Sequence, residues 1–194
     1  MKILFSIYQM DYADHISIAY LSAVAKQHGH QTDFCTLPDL VEKVKTTRPD
    51  VVAYSLNVYG FDEMIKTNKL LRNQYDFKAI AGGPEVTFNP GGLEASGMDV
   101  YCMGEGEGAF GDYLDRISAG KSYDDVPNLV TPNGYTPIRR LIEDLDTIPF
   151  PDRDLTIQNT FLKDEPKKTF YATRGCPYGC YYCANNQYNL MYRG

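Results

Sequence analysis

The chain has 194 residues, of which 43% are hydrophobic and 23% are charged, and its net charge is −6. This length suits one domain and part of another, with the composition of an ordinary folded protein. The acidic balance does not favour a nucleic-acid partner, and no apolar run is long enough to span a bilayer.

The first 118 residues alternate between strand-like and helix-like patterns. Ile16, Ala19 and Ala23, for example, follow helical spacing. Five strands interleaved with helices predict an α/β fold with a doubly wound, five-stranded parallel sheet. The predicted strands cover 2–8, 31–35, 50–56, 77–81 and 100–103, and the predicted helices cover 16–27, 37–47, 61–74, 91–96 and 107–118.

Three strand-end loops carry residues suited to a ligand, because parallel sheets bind ligands at the carboxyl ends of their strands. The first loop offers a hydroxyl and an amide, which equally suit capping of the next helix. The second has two glycines, which permit close approach of a ligand or simply a turn. The third has two carboxylates that suit a helix N-terminus. The candidate binding residues are Ser55, Leu56, Asn57, Gly82, Gly83, Pro84, Gly104, Glu105, Gly106 and Glu107.

The third loop also contains a dinucleotide-like motif. Gly106, Gly108 and Gly111 spell G-x-G-x-x-G. That fingerprint normally opens the first βαβ unit, whereas here it follows the fifth predicted strand. Glu107 also adds negative charge where a pyrophosphate would lie, so nicotinamide or flavin binding is not favoured.

Residues 125–151 differ in character from residues 1–124. Two short apolar runs flank Asn133-Gly134, which predicts a β-hairpin with a type I′ turn. Residues 141–154 read as an extended linker, because Pro149 and Pro151 exclude a helix there. We therefore expect a first domain over 1–124, a hairpin and linker over 125–151, and the start of a second domain over 152–194.

Three cysteines near the C-terminus, Cys176, Cys180 and Cys183, have the spacing C-x3-C-x2-C. Soft thiolates bind iron–sulfur clusters or zinc, and three ligands leave one coordination position open. Cys180 and Cys183 also form C-x-x-C, a pattern found in redox dithiols. The spacing alone leaves cluster, zinc and dithiol readings open.

Residues 175–183 resemble the cluster loop of radical S-adenosylmethionine (SAM) enzymes. The resemblance implies that Cys176, Cys180 and Cys183 hold a 4Fe–4S cluster whose free iron binds SAM, and that Tyr182 lies beside the adenine. The preceding residues 168–173 read as a buried β-strand, and the resemblance implies that this is the first strand of a β/α barrel. Such a barrel needs roughly 200 further residues, so we expect the 194-residue segment alone to be catalytically incomplete.

The double glycine and the Gly-Glu-Gly-Glu run resemble the cobalamin-binding domain that precedes many radical SAM barrels. The resemblance implies a flavodoxin-like fold with strand order 2-1-3-4-5 and a cobalamin tail along the carboxyl edge of the sheet. The D-x-H-x-x-G motif of cobalamin carriers is absent, because Ala13 and Ile18 occupy two of its positions. We therefore interpret His15 as a helix-start residue rather than a cobalt ligand.

These resemblances imply a cobalamin-dependent radical SAM enzyme, with methylation of an unactivated carbon through a 5′-deoxyadenosyl radical as the favoured reaction. They also imply a flavodoxin or ferredoxin as electron donor and a reducing cytoplasm as the compartment. Two alternatives remain: a non-catalytic cobalamin carrier or sensor, and a zinc or dithiol protein with a Rossmann-like domain.

Overall fold

The computed structural model describes residues 1–10 and 15–193. Its strands are β1 (Lys2–Ile7), β2 (Gln31–Thr36), β3 (Val51–Ser55), β4 (Lys78–Gly82), β5 (Val100–Cys102), β6 (Leu129–Thr131) and β7 (Gly134–Tyr135). Its helices are α1 (Ile16–Gln27), α2 (Leu37–Thr47), α3 (Phe61–Arg72), α4 (Pro84–Phe88), α5 (Leu93–Ser96), α6 (Glu107–Ser118), α7 (Arg153–Ile157) and α8 (Ala184–Tyr192). Within these described ranges, no helix combines the length and hydrophobicity that crossing a membrane requires.

The strands form one sheet in the order β2-β1-β3-β4-β5-β6-β7. β1 to β5 are parallel, which confirms the predicted α/β class and the order 2-1-3-4-5. The sheet is larger than predicted, because the hairpin of β6 and β7 pairs antiparallel with β5 and extends it.

Apolar side chains of the central strands alternate between two core layers. In β1, Ile3 and Phe5 face the layer that contains α1 and α6, whereas Leu4 faces the layer that contains α2 and α3. This alternation follows from the two-residue period of a strand and places helices on both faces of the sheet. The doubly wound arrangement leaves the carboxyl ends of the parallel strands as one shared edge.

The hairpin turn differs from its prediction. Thr131 pairs with Gly134, so the two turn residues are Pro132 and Asn133 rather than Asn133 and Gly134. A type I′ turn requires positive φ at both central residues, but proline fixes φ near −65°. The I′ prediction is therefore wrong, and the positive φ falls on Gly134 at 136°.

The predicted barrel strand over 168–173 is also wrong, because these residues form neither helix nor strand. Phe170 and Tyr171 are exposed. A buried strand of a parallel barrel needs a neighbouring strand on each side, and the sheet places none beside this segment.

The linker is anchored rather than fully extended. A 3₁₀ turn covers Leu145–Thr147. Further on, the Asp152 amide donates to the Ala19 carbonyl at 2.9 Å, and the Asp152 carboxylate accepts from the Ser22 hydroxyl at 2.6 Å. These bonds fix the end of the linker on α1. Further along the chain, residues 171–175 include several that lie at the carboxyl edge of the sheet.

Candidate functional site

A cavity of about 640 Å³ lies at the carboxyl ends of the parallel strands. Its floor is apolar and comes from both the strands and α6, with Phe5, Ala53, Ile80, Cys102 and Phe110 among the lining residues. The segment before the cysteine motif and the first part of α8 form an opposite wall, which includes Tyr171, Thr173, Arg174, Gly175, Asn185 and Tyr188.

The structure brings most of the predicted binding residues to this cavity. Leu56 and Asn57 are the two exceptions. Leu56 is fully buried, and the Asn57 side-chain oxygen accepts from the amides of Tyr59 and Gly60 at 3.2 and 3.3 Å, which closes the turn that leads into α3. The predicted residues that line the cavity are Ser55, Gly82, Gly83, Pro84, Gly104, Glu105, Gly106 and Glu107.

The two glycines of the second loop have different roles. Gly83 has φ 108° and ψ 177°, a region that is accessible essentially to glycine alone. A Cβ at Gly83 would also lie 2.5 Å from the Leu56 carbonyl oxygen. Gly82 has no such constraint, because the nearest atom to its Cβ would be the Cys102 oxygen at 3.7 Å. Gly83 therefore shapes the backbone, and Gly82 leaves space at the rim of the cavity.

Two largely buried carboxylates at the end of β5 share one guanidinium. Arg174 Nη1 donates to Glu105 Oε1 at 3.0 Å, and Arg174 Nη2 donates to Glu107 Oε1 at 2.5 Å. The guanidinium also lies 5.0 Å from the centre of the Tyr20 ring. Burial lowers the pKa of Arg174, but the hydrogen bonds and charges of the two glutamates outweigh it, and the pKa is raised overall.

The same strand-end loop receives α8. The Glu105 amide donates to the Tyr192 hydroxyl at 2.7 Å. Gly104 has φ 69°, and a Cβ there would overlap the Tyr192 hydroxyl. Burial raises the pKa of Tyr192 to about 12, so this hydroxyl stays protonated at neutral pH. Gly104 thus permits both the turn after β5 and the close approach of α8.

The cysteine motif lies in the segment that joins α7 to α8. This segment contains one 3₁₀ turn and no α-helix or strand. Cys180 is exposed, and Cys176 and Cys183 are half-buried. Among residues 1–10 and 15–193, no three His, Cys, Asp or Glu side chains are grouped to hold a metal ion. Tyr182 is 91% exposed. The Asn189 amide donates to the Cys176 carbonyl at 2.9 Å and ties α8 to this loop.

Arg174 and Tyr192 did not emerge from the sequence. Charge complementarity could have indicated Arg174. It is a cation two residues before Cys176, and the loop after β5 carries two glutamates that alternate with glycine. Buried carboxylates need a partner of opposite charge. Tyr192 gave no such signal. His15 lies at the start of α1, as predicted, and its carbonyl accepts from the Ile18 amide at 3.0 Å. Residues 11–14, just before His15, lie outside the described part of the chain.

The B12-binding domain family matches residues 11–114, more than half of the chain. The chain belongs to this family. The match covers β2 to β5 and the helices between them, and it ends within α6. Cobalamin is therefore the ligand class to test against the cavity at the sheet edge.

The curated relatives include methyltransferases. The chain is 28% identical over 195 residues to an uncharacterized methyltransferase of Pyrococcus horikoshii, with 92% of this chain and 42% of the relative covered. It is 34% identical over 150 residues to the cobalamin-dependent radical SAM methyltransferase TokK of Streptomyces tokunonensis, with 70% of this chain and 22% of the relative covered. The chain thus spans less than half the length of these relatives, and the name of TokK agrees with the resemblance seen in the motifs.

A solved structure shows the same fold. The cobalamin-dependent SAM radical enzyme OxsB, with aqua-cobalamin bound, aligns with a TM-score of 0.69 at 14% identity. The alignment covers 81% of this chain and 24% of OxsB.

The residues present suit a cobalamin tail. Ligand pockets have volumes of about 300–1,000 Å³, and the cavity of about 640 Å³ lies within that range. Its apolar floor suits an aromatic base, and its glycine-lined rim permits close approach. The three thiols are the donor type that clusters require, but their side chains are not gathered into a metal site.

Proposed function

We propose that the chain is the cobalamin-binding and cluster-loop portion of a cobalamin-dependent radical SAM methyltransferase. One observation carries the proposal: the predicted cobalamin loops and the residues just before the cysteine motif line the same cavity. Two separately predicted features therefore share one site. A zinc or dithiol protein has no need of such an arrangement.

In the proposed cobalamin site, the carboxyl edge of the sheet forms a cavity for the tail and excludes water from it. Phe5 and Phe110 provide apolar surface for the tail. The rim at Gly82 leaves room for its nucleotide portion, and Gly83 holds the loop beneath. Ser55 lies at the same rim and offers a hydroxyl to a polar group of the ligand.

On the cluster side, Cys176, Cys180 and Cys183 would hold three irons of a 4Fe–4S cluster, and Tyr182 would lie beside the SAM adenine. Because the loop has no regular structure, metal ligation is expected to organise it, as metal binding commonly does in small sites. When bound, the cluster with SAM supplies a 5′-deoxyadenosyl radical, and methylcobalamin supplies a methyl group. The chain's residues position and shield these groups.

Methylation is the favoured reaction because the two curated relatives described above are named methyltransferases. The relatives extend well beyond the part that this chain matches, so the substrate site is assigned to the remainder of such a protein. An electron donor such as flavodoxin or ferredoxin completes the proposal, since reductive cleavage of SAM needs one electron.

Anaerobic reconstitution tests both halves. The chain is incubated with iron and sulfide, and bound iron, sulfide and zinc are counted; hydroxocobalamin is titrated in parallel and its visible spectrum recorded. We expect about four irons per chain, as a 4Fe–4S cluster requires, and a saturable spectral change. One zinc and no iron would contradict the cluster assignment. Cobalamin binding without iron would favour the carrier or sensor, and an unchanged cobalamin spectrum would contradict the cobalamin assignment.

A further inference from the structure

The loop after β5 contacts the cysteine motif on both of its sides. Before the motif, Arg174 bonds to Glu105 and Glu107. After the motif, the hydroxyl of Tyr192 in α8 accepts from the Glu105 amide. The nine residues from 175 to 183 are thus held between two contacts to one short loop, and that loop is also part of the cavity rim.

The Arg174 contact is the stronger of the two. Side-chain exposure is 18% for Glu105, 10% for Glu107 and 29% for Arg174, so the three charges are largely withdrawn from water. Removal of one partner from a buried ion pair leaves an uncompensated charge, which costs several times the value of a surface pair. The second Glu105 oxygen accepts from the Ile142 amide at 2.8 Å and fixes the carboxylate in place.

The cavity and the ion pairs share residues. Arg174, Glu105 and Glu107 all line it, together with Tyr20, over which the guanidinium lies. A ligand that fills the cavity lies between the sheet edge and the wall that carries Arg174, so it contacts both walls only while Arg174 keeps that wall seated. Filling of the cavity and seating of Arg174 therefore favour each other.

We propose that Arg174 is a positioning residue that seats the cysteine loop against the cobalamin cavity, so that a filled cavity orders the loop. The proposal rests on the proposed function in that cobalamin is the ligand. Arg174 acts through the loop and takes no part in the chemistry itself. Without it, cobalamin binding and the order of the cysteines are uncoupled.

Thiol labelling of the metal-free chain tests this coupling. Maleimide labelling of each cysteine is followed by mass spectrometry, with and without saturating cyanocobalamin, whose filled axial positions limit reaction with thiols. We expect cyanocobalamin to slow the labelling of Cys176 by about tenfold, the scale of a local opening equilibrium. In Arg174→Gln this protection is lost, and labelling without ligand is faster than in the wild type. Cys35, which lies in β2 and is 5% exposed, is the internal control.

Three further variants separate positioning from general damage. Arg174→Lys keeps the charge but loses the two-pronged guanidinium, and we expect partial protection. The triple variant Arg174→Gln, Glu105→Gln, Glu107→Gln loses protection without leaving buried carboxylates unpaired, and serves where Arg174→Gln folds poorly. Arg116→Gln removes the exposed Arg116–Asp125 pair at 2.9 Å on the far part of α6 and should behave as the wild type.

Two results would overturn the positioning role. One is full cyanocobalamin protection in the folded Arg174→Gln chain. The other is equal labelling rates of Cys176 in the wild type and Arg174→Gln without ligand. A wild-type chain that binds no cyanocobalamin contradicts the proposed function instead, and the rates without ligand then decide whether Arg174 seats the loop.

Discussion

The sheet and the cysteine loop are specified in different ways. In the sheet, β1 is buried except at Lys2, and apolar residues fill a layer on each face. In the loop, Phe170, Tyr181 and Tyr182 are 78%, 93% and 91% exposed. Burial of apolar surface stabilises the first region, whereas the second has little burial of its own. The segment around the cysteines is held mainly by polar contacts, such as that of Arg174 with Glu105 and that of Asn189 with the Cys176 carbonyl.

The cysteines show the same contrast. Cys35 in β2 and Cys102 in β5 are buried, as expected for free strand cysteines, and burial raises the pKa of each thiol to about 12. They stay protonated and unreactive at neutral pH. The three loop thiols lie at half-buried or exposed positions, where metal and reagents reach them.

The largest expected effect separates the ligands of the two regions. Cys180→Ala should abolish cluster assembly, because two thiolates do not replace three, while the cobalamin affinity of the metal-free chain stays unchanged because Cys180 does not line the cavity. Iron content after anaerobic reconstitution and hydroxocobalamin titration measure the two outcomes. Cys35→Ala is the matched control, with iron content as in the wild type. Equal loss of iron and cobalamin in Cys180→Ala would show that the two sites are not separable.

The fold was largely predictable because apolar periodicity reports burial directly. Most element bounds followed from that pattern, to within two residues, whereas the order of β1 to β5 followed from the resemblance to cobalamin-binding domains. Helix α4 was missed, because its five residues span little more than one turn and therefore show no helical periodicity. The join of β6 to β5 was missed as well, because pairing between strands separated by a helix is a tertiary contact that local sequence does not encode.

The cavity residues that depend on backbone conformation, such as glycines at strand ends, could be predicted from the sequence. The contacts between side chains far apart in the sequence could not. Gly82, Gly83 and Gly104 were found from their position after strands. Arg174 and Tyr192 contact Glu105 across 69 and 87 residues. The sequence offered only charge complementarity as a signal for Arg174, and it offered none for Tyr192. The error at 168–173 has a related origin: an apolar run indicates a strand only if other strands are present to cover it.

A glycine in the sheet region gives the next largest effect. Gly83→Ala should lower the free energy of unfolding by about 3 kcal/mol, because alanine at φ 108° is strained and its Cβ meets the Leu56 oxygen at 2.5 Å. Urea unfolding followed by circular dichroism measures it. Gly120→Ala, also at positive φ (64°) but in open space, is the control and should cost about 1 kcal/mol. Equal losses would show that the backbone contact is unimportant.

Gly82→Val probes the ligand rather than the fold. The nearest atom to its Cβ would be 3.7 Å away, and valine suits the end of a strand, so stability should change little. Its methyl groups would occupy the rim of the cavity, and we expect cobalamin affinity to fall about tenfold, or about 1.4 kcal/mol. Spectral titration with hydroxocobalamin measures the affinity. Unchanged affinity with unchanged stability would place the tail elsewhere along the sheet edge.

The smallest effect is a pH dependence that belongs to the sheet region. His30 lies before β2, with its Nδ1 3.2 Å from the α-amino group of Met1. Burial lowers its pKa, the α-amino charge and His28 lower it further, and Asp115 and Asp50 oppose them. The pKa is therefore below 6.5 in the folded chain, and protonation favours unfolding. The contribution of His30 is fully present above pH 6.5 and is lost as the pH falls through its folded pKa.

Urea unfolding at pH 7.5 and pH 5.5 measures this contribution, with His30→Gln as the comparison. Because His30 is only partly buried, solvent screening keeps the difference below about 1 kcal/mol. We expect the wild type to lose more stability than His30→Gln over this interval, since the variant lacks the titrating ring while the carboxylates of both proteins titrate alike. Identical losses would show that burial and the α-amino charge together do not lower the pKa of His30. Iron uptake by the cysteine loop should not distinguish the two proteins, because His30 lies beside the amino end of β1, at the edge of the sheet opposite the cavity.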